Sequence, residues 1–255
     1  MALSNSYPSL KDAPVFVTGG ASGIGEAIVR AFAGQGAKVA FVDIDTARGE
    51  ALASEITAAG APPPLFMTCD LRDVEALRRA IEQAREGHGD LAALVNNAAN
   101  DTRHSLADLT PDYWDDRIAV NLRPMVFAAQ AAALQMRRRG GGAIVNFGSI
   151  SWKTGMGSMV AYTTAKAAVH GLTRSLARDL GPDRIRVNTV TPGWVMTERQ
   201  LALWVDAAGE REIDARQCLK DRLMPDDIAA MVMFLASADS RLCTAQEFTV
   251  DGGWS

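Results

Sequence analysis

Val15-Phe-Val-Thr18-Gly19-Gly-Ala-Ser-Gly23-Ile-Gly25 passes from an apolar, β-rich run straight into a glycine-rich turn and then into the helical pattern of residues 26–35. Strand, tight turn and helix in that order make the first unit of a parallel α/β sheet. Glycine admits positive φ and lets the backbone come close to a bound group, while the free N–H groups and positive dipole end of the new helix attract an anion. The turn therefore reads as a phosphate cradle, with Gly19, Ser22, Gly23, Ile24 and Gly25 as candidate contacts.

A glycine-rich turn alone is a weak signal; here it is followed by a second strand, residues 38–42, that ends on Asp43. A carboxylate there accepts hydrogen bonds from both ribose hydroxyls of NAD and repels the extra phosphate of NADP, which points to NAD as the cofactor. Neither Ala21, Ser22 nor Ile44 supplies a cation for a 2′-phosphate, although Arg48, about one helical turn on, could weaken the preference. The alternative for Asp43 is a turn or capping aspartate leading into a helix near Thr46.

Outward from this unit, short β-rich runs alternate with helical patterns, and strands are predicted over residues 15–18, 38–42, 65–69, 92–96, 143–147, 186–191 and 247–250. Parallel strands need crossover helices on both faces, so the predicted fold is α/β: a doubly wound parallel sheet of about seven strands, a Rossmann-like three-layer sandwich with its ligand crevice at the carboxyl ends of the strands. No linker composition or charge block divides the 255 residues, so 1–255 reads as a single domain.

Composition narrows the function. With 48% hydrophobic and 22% charged residues and a net charge of −4, the chain is of globular type and has no basic footprint for nucleic acid. No apolar run approaches the roughly 20 residues of a membrane helix, and residues 1–10 lack a signal pattern, so a cytoplasmic protein without membrane contact is expected. Cys69, Cys218 and Cys243 lie far apart without paired spacing; they read as buried thiols rather than a disulfide framework or a metal site. Arg137-Arg-Arg139 before Gly140 reads as a helix end meeting its turn.

The chemistry is carried by Ser149 and by Tyr162-Thr-Thr-Ala-Lys166. Residues i and i+4 of a helix sit one above the other, which places the Lys166 ammonium near the Tyr162 hydroxyl. A free tyrosine titrates near pH ~10, and a neighbouring cation favours its phenolate, so Tyr162 is predicted to serve as a base near neutrality. In isolation the pair could be a solvated Tyr and Lys, and Ser149 a strand-end hydroxyl capping its own backbone. Asn121 falls inside a helical stretch, residues 113–138, where a backbone-bonding amide is unfavourable; a kink with a bound water is predicted there.

Thr18-Gly19-x-x-x-Gly23-x-Gly25, Asn96-Asn97-Ala98-Ala99, Asn121, Ser149, Tyr162-x-x-x-Lys166 and Pro192-Gly193, in this order, resemble the short-chain dehydrogenase/reductase family over nearly the whole chain. The resemblance implies nicotinamide hydride transfer with Asn121, Ser149, Tyr162 and Lys166 as the catalytic set. In that set Tyr162 is the base, Ser149 holds the substrate oxygen, Lys166 also holds the nicotinamide ribose, and the Asn121 backbone holds a relay water. It further implies cofactor contacts at Asp70 with Leu71, at Asn97, Ala98 and Ala99, at Tyr162 and Lys166, and at Pro192, Gly193, Val195 and Thr197. Ala99 stands where the family often has glycine.

Residues 197–217 are where the family builds its substrate lid, and Asn97-Ala-Ala-Asn100-Asp-Thr-Arg103-His104, Gly148-Ser-Ile-Ser-Trp152 and Gln217-Cys-Leu-Lys220 resemble its bacterial aldose 1-dehydrogenases. These act on xylose, arabinose, galactose or fucose. The expectation is oxidation of the anomeric hydroxyl of an aldose to a lactone. Trp152 and Trp194 would offer flat faces to the sugar, or else be core residues. Asn100, His104, Ser151, Arg199 and Gln200 complete the candidate substrate contacts. Rival readings are a ketone or 3-oxoacyl thioester reductase or a polyol dehydrogenase, which share the catalytic residues, and a non-catalytic nucleotide sensor on the same fold. Alanine-rich helical stretches at 125–136 and 160–176 point to association, by resemblance as a homotetramer.

Overall fold

Val15-Phe-Val17 and Ala93-Leu-Val95, in the middle of the sheet, are apolar at consecutive positions because both faces of the sheet are covered there. The computed structural model describes residues 5–255, so the part of the leaderless reading that falls on residues 1–4 lies outside the described residues. Along the chain run β1 (Pro14–Thr18), α1 (Gly23–Gly34), β2 (Lys38–Asp43), α2 (Thr46–Ala58), β3 (Leu65–Thr68), α3 (Val74–His88), β4 (Ala93–Asn96) and α4 (Pro111–Asn121). Then follow α5 (Arg123–Arg139), β5 (Gly142–Phe147), α6 (Val160–Leu180), β6 (Ile185–Pro192), α7 (Glu198–Leu203), α8 (Ala207–Arg216), α9 (Pro225–Ala236) and β7 (Glu247–Val250). The strands form one 7-stranded sheet in the order β3-β2-β1-β4-β5-β6-β7, parallel throughout.

Alternate side chains of each strand feed separate cores. Val15, Val17, Val39, Phe41, Val95 and Val145 pack beneath α1 and α9, whereas Phe16, Ala40, Val42, Leu94 and Ile144 pack beneath α3 and α5. The chain leaves β1 toward β2 and β3 on one side and returns to β4 on the other, so the crevice opens between the carboxyl ends of β1 and β4. Among the described residues, no helix is long and apolar enough to cross a membrane.

The predicted helix over 113–138 is broken. Asn121 ends α4, Leu122 adopts φ −133° and ψ −53°, and α5 starts at Arg123 with Pro124 in its first turn. The Asn121 amide explains the break: its Nδ2 donates to Arg117 O (2.9 Å) and Asn100 O (3.2 Å), and its Oδ1 accepts from Asn100 N (2.8 Å). The side chain thus ties the loop after β4 to the joint. Gly140, left-handed at φ 86°, ends α5 after the three arginines, as the turn reading required. Of the cysteines only Cys69 is buried; Cys218 is exposed and Cys243 intermediate, because Cys218 lies on the surface turn after α8 rather than in an element core.

One polar ladder crosses the interior. Asn96 Nδ2 donates to Asn146 Oδ1 (2.9 Å), Asn146 Nδ2 to Thr173 Oγ1 (3.0 Å), and Thr189 Oγ1 to the same Thr173 oxygen (2.8 Å), linking β4, β5, α6 and β6. All four side chains are buried, so each bond replaces one that water would otherwise make. Asn146→Ala strips Asn96 of its acceptor and Thr173 of a donor, and is expected to destabilise the protein by about 2–4 kcal/mol. The readout is the midpoint of urea unfolding; an unchanged midpoint would show that the ladder adds no net stability.

Candidate active site

The glycine turn is built by contact rather than by composition. Gly19 sits at φ +67° and Gly23 at φ +57°, a region that side-chain-bearing residues avoid. A Cβ on Gly25 would lie 1.8 Å from Gly19 O and 2.7 Å from Asn97 Nδ2, so only glycine lets α1 start this close to the end of β1. Ser22 caps α1 without a side-chain hydrogen bond, which leaves the first-turn N–H groups free to meet an anion. Asn97 closes the other side: its Nδ2 donates to Thr18 O (3.1 Å) and Gly19 O (2.9 Å), while Asn97 N (3.1 Å) and Ala98 N (3.2 Å) donate to Thr18 Oγ1. A dinucleotide pyrophosphate fits this cradle.

Asp43 ends β2 beside the turn. Its Oδ2 accepts from Ala21 N (3.0 Å) and its Oδ1 from Asp45 N (3.1 Å), and each oxygen keeps a lone pair for a ribose hydroxyl. By accepting from Asp45 N, Asp43 also closes a turn, whereas the cap of α2 is Asp45, which accepts from Arg48 N at 3.0 Å. Arg48 itself reaches across to Glu198 (3.2 Å) at the start of α7. Asp70 is held in a fork by Arg72, which keeps its carboxyl below the usual carboxylate range, and Leu71 beside it is buried.

Below the cradle, the end of β5 and the first turns of α6 meet. Ser149 Oγ accepts from Ser151 N (3.1 Å), and the Ser149 hydroxyl lies beside the Tyr162 phenol. Lys166, 1% exposed, donates from Nζ to Phe147 O (2.8 Å), and that nitrogen lies 5.7 Å from the centre of the Tyr162 ring. In the protein by itself, burial acts against the expected lowering of the phenol by Lys166. Burial outweighs the other influences and raises the Tyr162 phenol above its ordinary value; the Ser149 hydroxyl pulls it down and the charge of Asp101 pushes it up. Burial also lowers Lys166, to about 7, against a raising influence from Asp101. Lys166 is fully buried and Tyr162 half-buried, so loss of water disfavours the charged form of each.

These groups face a chamber of about 470 Å³, within the range of small-molecule sites. Ile24, Asn97 and Ala99 line it on the cradle side, Ser149, Tyr162 and Lys166 at its floor, and Pro192, Gly193, Val195 and Thr197 along the end of β6 and the segment after it. Of the candidate substrate residues, Ser151, Trp194 and Gln200 line it, and Ser151 Oγ is buried there without a hydrogen-bond partner, an open valence for a ligand.

Four other candidates do not line the chamber. Trp152 turns outward, its Nε1 donating to His170 Nε2 (3.1 Å), because the short turn after Ser149 rotates it away from β5. His104 packs on Tyr113 with ring centres 4.9 Å apart. Asn100 closes its own turn by accepting from Thr102 N (3.0 Å), and Arg199 pairs with Asp101 (3.2 Å).

Sequence reasoning missed Asp101, Met156, Met159, Glu212, Arg216 and Trp254, all of which line the chamber. Trp254 arrives from the segment after β7 and leans on Trp194 at 6.1 Å and 58°. Asp251 fixes that segment by accepting from Gly253 N, Ser255 N and Ser255 Oγ, each at 2.8 Å. The signal for Trp254 was its place just beyond the carboxyl end of a parallel strand.

Residues 19–255 match the protein family described as enoyl-(acyl carrier protein) reductase. The chain is 52% identical to a D-xylose 1-dehydrogenase of Caulobacter vibrioides over 97% of this chain and 98% of that one. It is 48% identical to a probable galactose dehydrogenase of Rhizobium meliloti over 98% of each chain. Among solved structures, a short-chain dehydrogenase/reductase from Serratia marcescens superposes with a TM-score of 0.89 at 36% identity, covering 97% of this chain and 99% of that one.

Gly25→Ala is expected to cost about 1–3 kcal/mol, since backbone rather than a flexible side chain blocks the new methyl. Gly34→Ala, at the far end of the same helix with nothing within 4 Å of a new Cβ, is the control and should leave the melting temperature unchanged or slightly raised. Equal melting temperatures for the two variants would contradict the close approach at Gly25.

Proposed function

The chain belongs to the short-chain dehydrogenase/reductase family, and from that premise we propose that it oxidises the anomeric hydroxyl of a cyclic aldose to a lactone, with NAD as the preferred cofactor. The observation that carries the reading is the convergence of Ser149, Tyr162 and Lys166 on one chamber that Trp194 and Trp254 also line. Indole faces suit the apolar face of a sugar ring, and Gln200, Ser151 and the carboxylate of Glu212 offer partners for its hydroxyls. The identities to xylose and galactose dehydrogenases favour an aldose over a thioester or a polyol.

NAD supplies the hydride acceptor for the anomeric carbon. Gly19, Ser22, Gly23, Ile24 and Gly25 would hold its pyrophosphate, Asp43 its adenosine ribose, Asp70 and Leu71 its adenine, and Asn97, Ala98 and Ala99 the wall beside it. Pro192, Gly193, Val195 and Thr197 would hold its nicotinamide end. Tyr162 takes the proton of the anomeric hydroxyl as the carbonyl forms, Ser149 donates to the same oxygen and holds it in line, and Lys166 stabilises the phenolate. Asn121 acts in this reading by fixing the loop that carries Asn100 and by offering its backbone to a relay water. Residues 197–217, including α7 and α8, form the substrate lid. Val126 and Leu134, exposed on α5, belong to a face that a homotetramer would cover.

Because burial raises the phenol and lowers Lys166 to about 7, the phenolate–ammonium form grows with pH only until Lys166 begins to lose its proton, and aldose oxidation is expected to speed up toward pH about 7 and level off above it. The decisive assay is NAD and NADP reduction by the purified protein over a panel of aldoses, polyols and hydroxyacyl thioesters. Aldose-dependent NAD reduction is expected, lowered about 10³-fold by Tyr162→Phe. Activity confined to hydroxyacyl compounds, or a Tyr162→Phe protein as fast as its parent, would refute the assignment.

A further inference from the structure

α7 buries none of its residues, so hydrophobic packing cannot be what seats it over the chamber. Its attachments are polar, and those on the chamber side converge on one carboxylate. Asp101 Oδ2 accepts from Gln200 Nε2 (2.7 Å) and Oδ1 from Arg199 Nε (3.2 Å), while Gln200 Oε1 accepts from Trp194 Nε1 (3.0 Å). A continuous hydrogen-bonded path thus runs from the loop after β4, through α7, to the indole that walls the chamber. The loop is rigid at its root, because Asn121 grips both the N–H and the carbonyl of Asn100, next to Asp101.

The same carboxylate lines the chamber together with Tyr162 and Lys166. The other ionisable groups there are Arg103 of the same loop and Glu212 and Arg216 of α8. Arg103 lies 3.8 Å over the Trp204 ring, and Arg216 pairs with Glu212 (3.1 Å). His104, also in the loop, is turned onto Tyr113.

We propose that Asp101 is a positioning residue whose single negative charge both latches α7 and Trp194 over the chamber and sets the charge balance of the Tyr162–Lys166 pair. This inference rests on the dehydrogenase reading of the site. It makes lid closure and readiness for proton transfer depend on one group: a lid released from Asp101 changes the field felt at the floor.

The two roles separate by substitution. Asp101→Asn keeps an oxygen for Gln200 but loses the charge; since a negative neighbour favours the protonated form of both phenol and amine, both then lose protons more easily. The pH profile of kcat/KM for aldose oxidation should move bodily to lower pH by about half a unit. Asp101→Ala removes the latch as well, and should raise KM for the aldose about tenfold and speed tryptic cleavage after Arg199 by a similar factor, the loss expected for charge-assisted hydrogen bonds.

A pH profile of Asp101→Asn that superposes on the parent's would overturn the electrostatic role. Unchanged KM and unchanged cleavage in Asp101→Ala would overturn the latch. Tyr162→Phe run in parallel tests the underlying reading by itself: if it turns over at the parent's rate, the dehydrogenase assignment falls, while the cleavage rate in Asp101→Ala still decides the latch.

Discussion

The contact on which the rest is assembled is the approach of Gly25 to the carbonyl of Gly19, held from the far side by the Asn97 amide. It joins the start of α1 to the carboxyl edges of β1 and β4, the one place where a doubly wound sheet parts its strands. Each partner is fixed by the others: the turn needs positive φ, the amide needs two carbonyls pointing toward it, and Thr18 Oγ1 needs the two N–H groups that follow β4. The edge that results is rigid before any ligand arrives, which spares the binding step much of its ordering cost.

Electrostatics at the floor of the chamber oppose the packing that creates it. Lys166 is almost wholly removed from water, and only one carbonyl, that of Phe147, receives its proton. Burying an ammonium and a phenolate together is unfavourable in a dry pocket, yet a dry pocket is where their mutual attraction is strongest. The Ser149 hydroxyl and the Asp101 charge act in opposite senses on the phenol, so its proton affinity is a balance among neighbours rather than a property of the Tyr-Lys spacing.

Reading the sequence recovered the framework because the framework is local. Every predicted strand falls within about a residue of its observed position; the inner strands, buried on both faces, write their own limits as apolar runs between polar turns, and the two edge strands keep the short β-rich pattern. The cradle and the Tyr162–Lys166 pair were legible for the same reason: fixed spacing on one element implies fixed geometry. Side-chain direction in loops was not legible. Trp152 and Trp194 looked alike in sequence, yet a short helical turn sends the first to His170 and the path after β6 sends the second inward. Asp101 reaches the chamber through tertiary contacts with α7, a partner distant in sequence that no local pattern announces, whereas Trp254 leans on Trp194 from just beyond the end of β7.

The elements that shape the far wall, α7, α8 and the segment after β7, contribute little to either core: α7 buries no residue, and Ile213, the buried apolar side chain of α8, belongs to neither cluster. Drift in those segments is therefore tolerated by the scaffold. A lineage carrying this architecture can trade one ligand preference for another by rewriting a few surface turns, without passing through an unfolded ancestor, and a protein engineer can graft new turns there for the same reason.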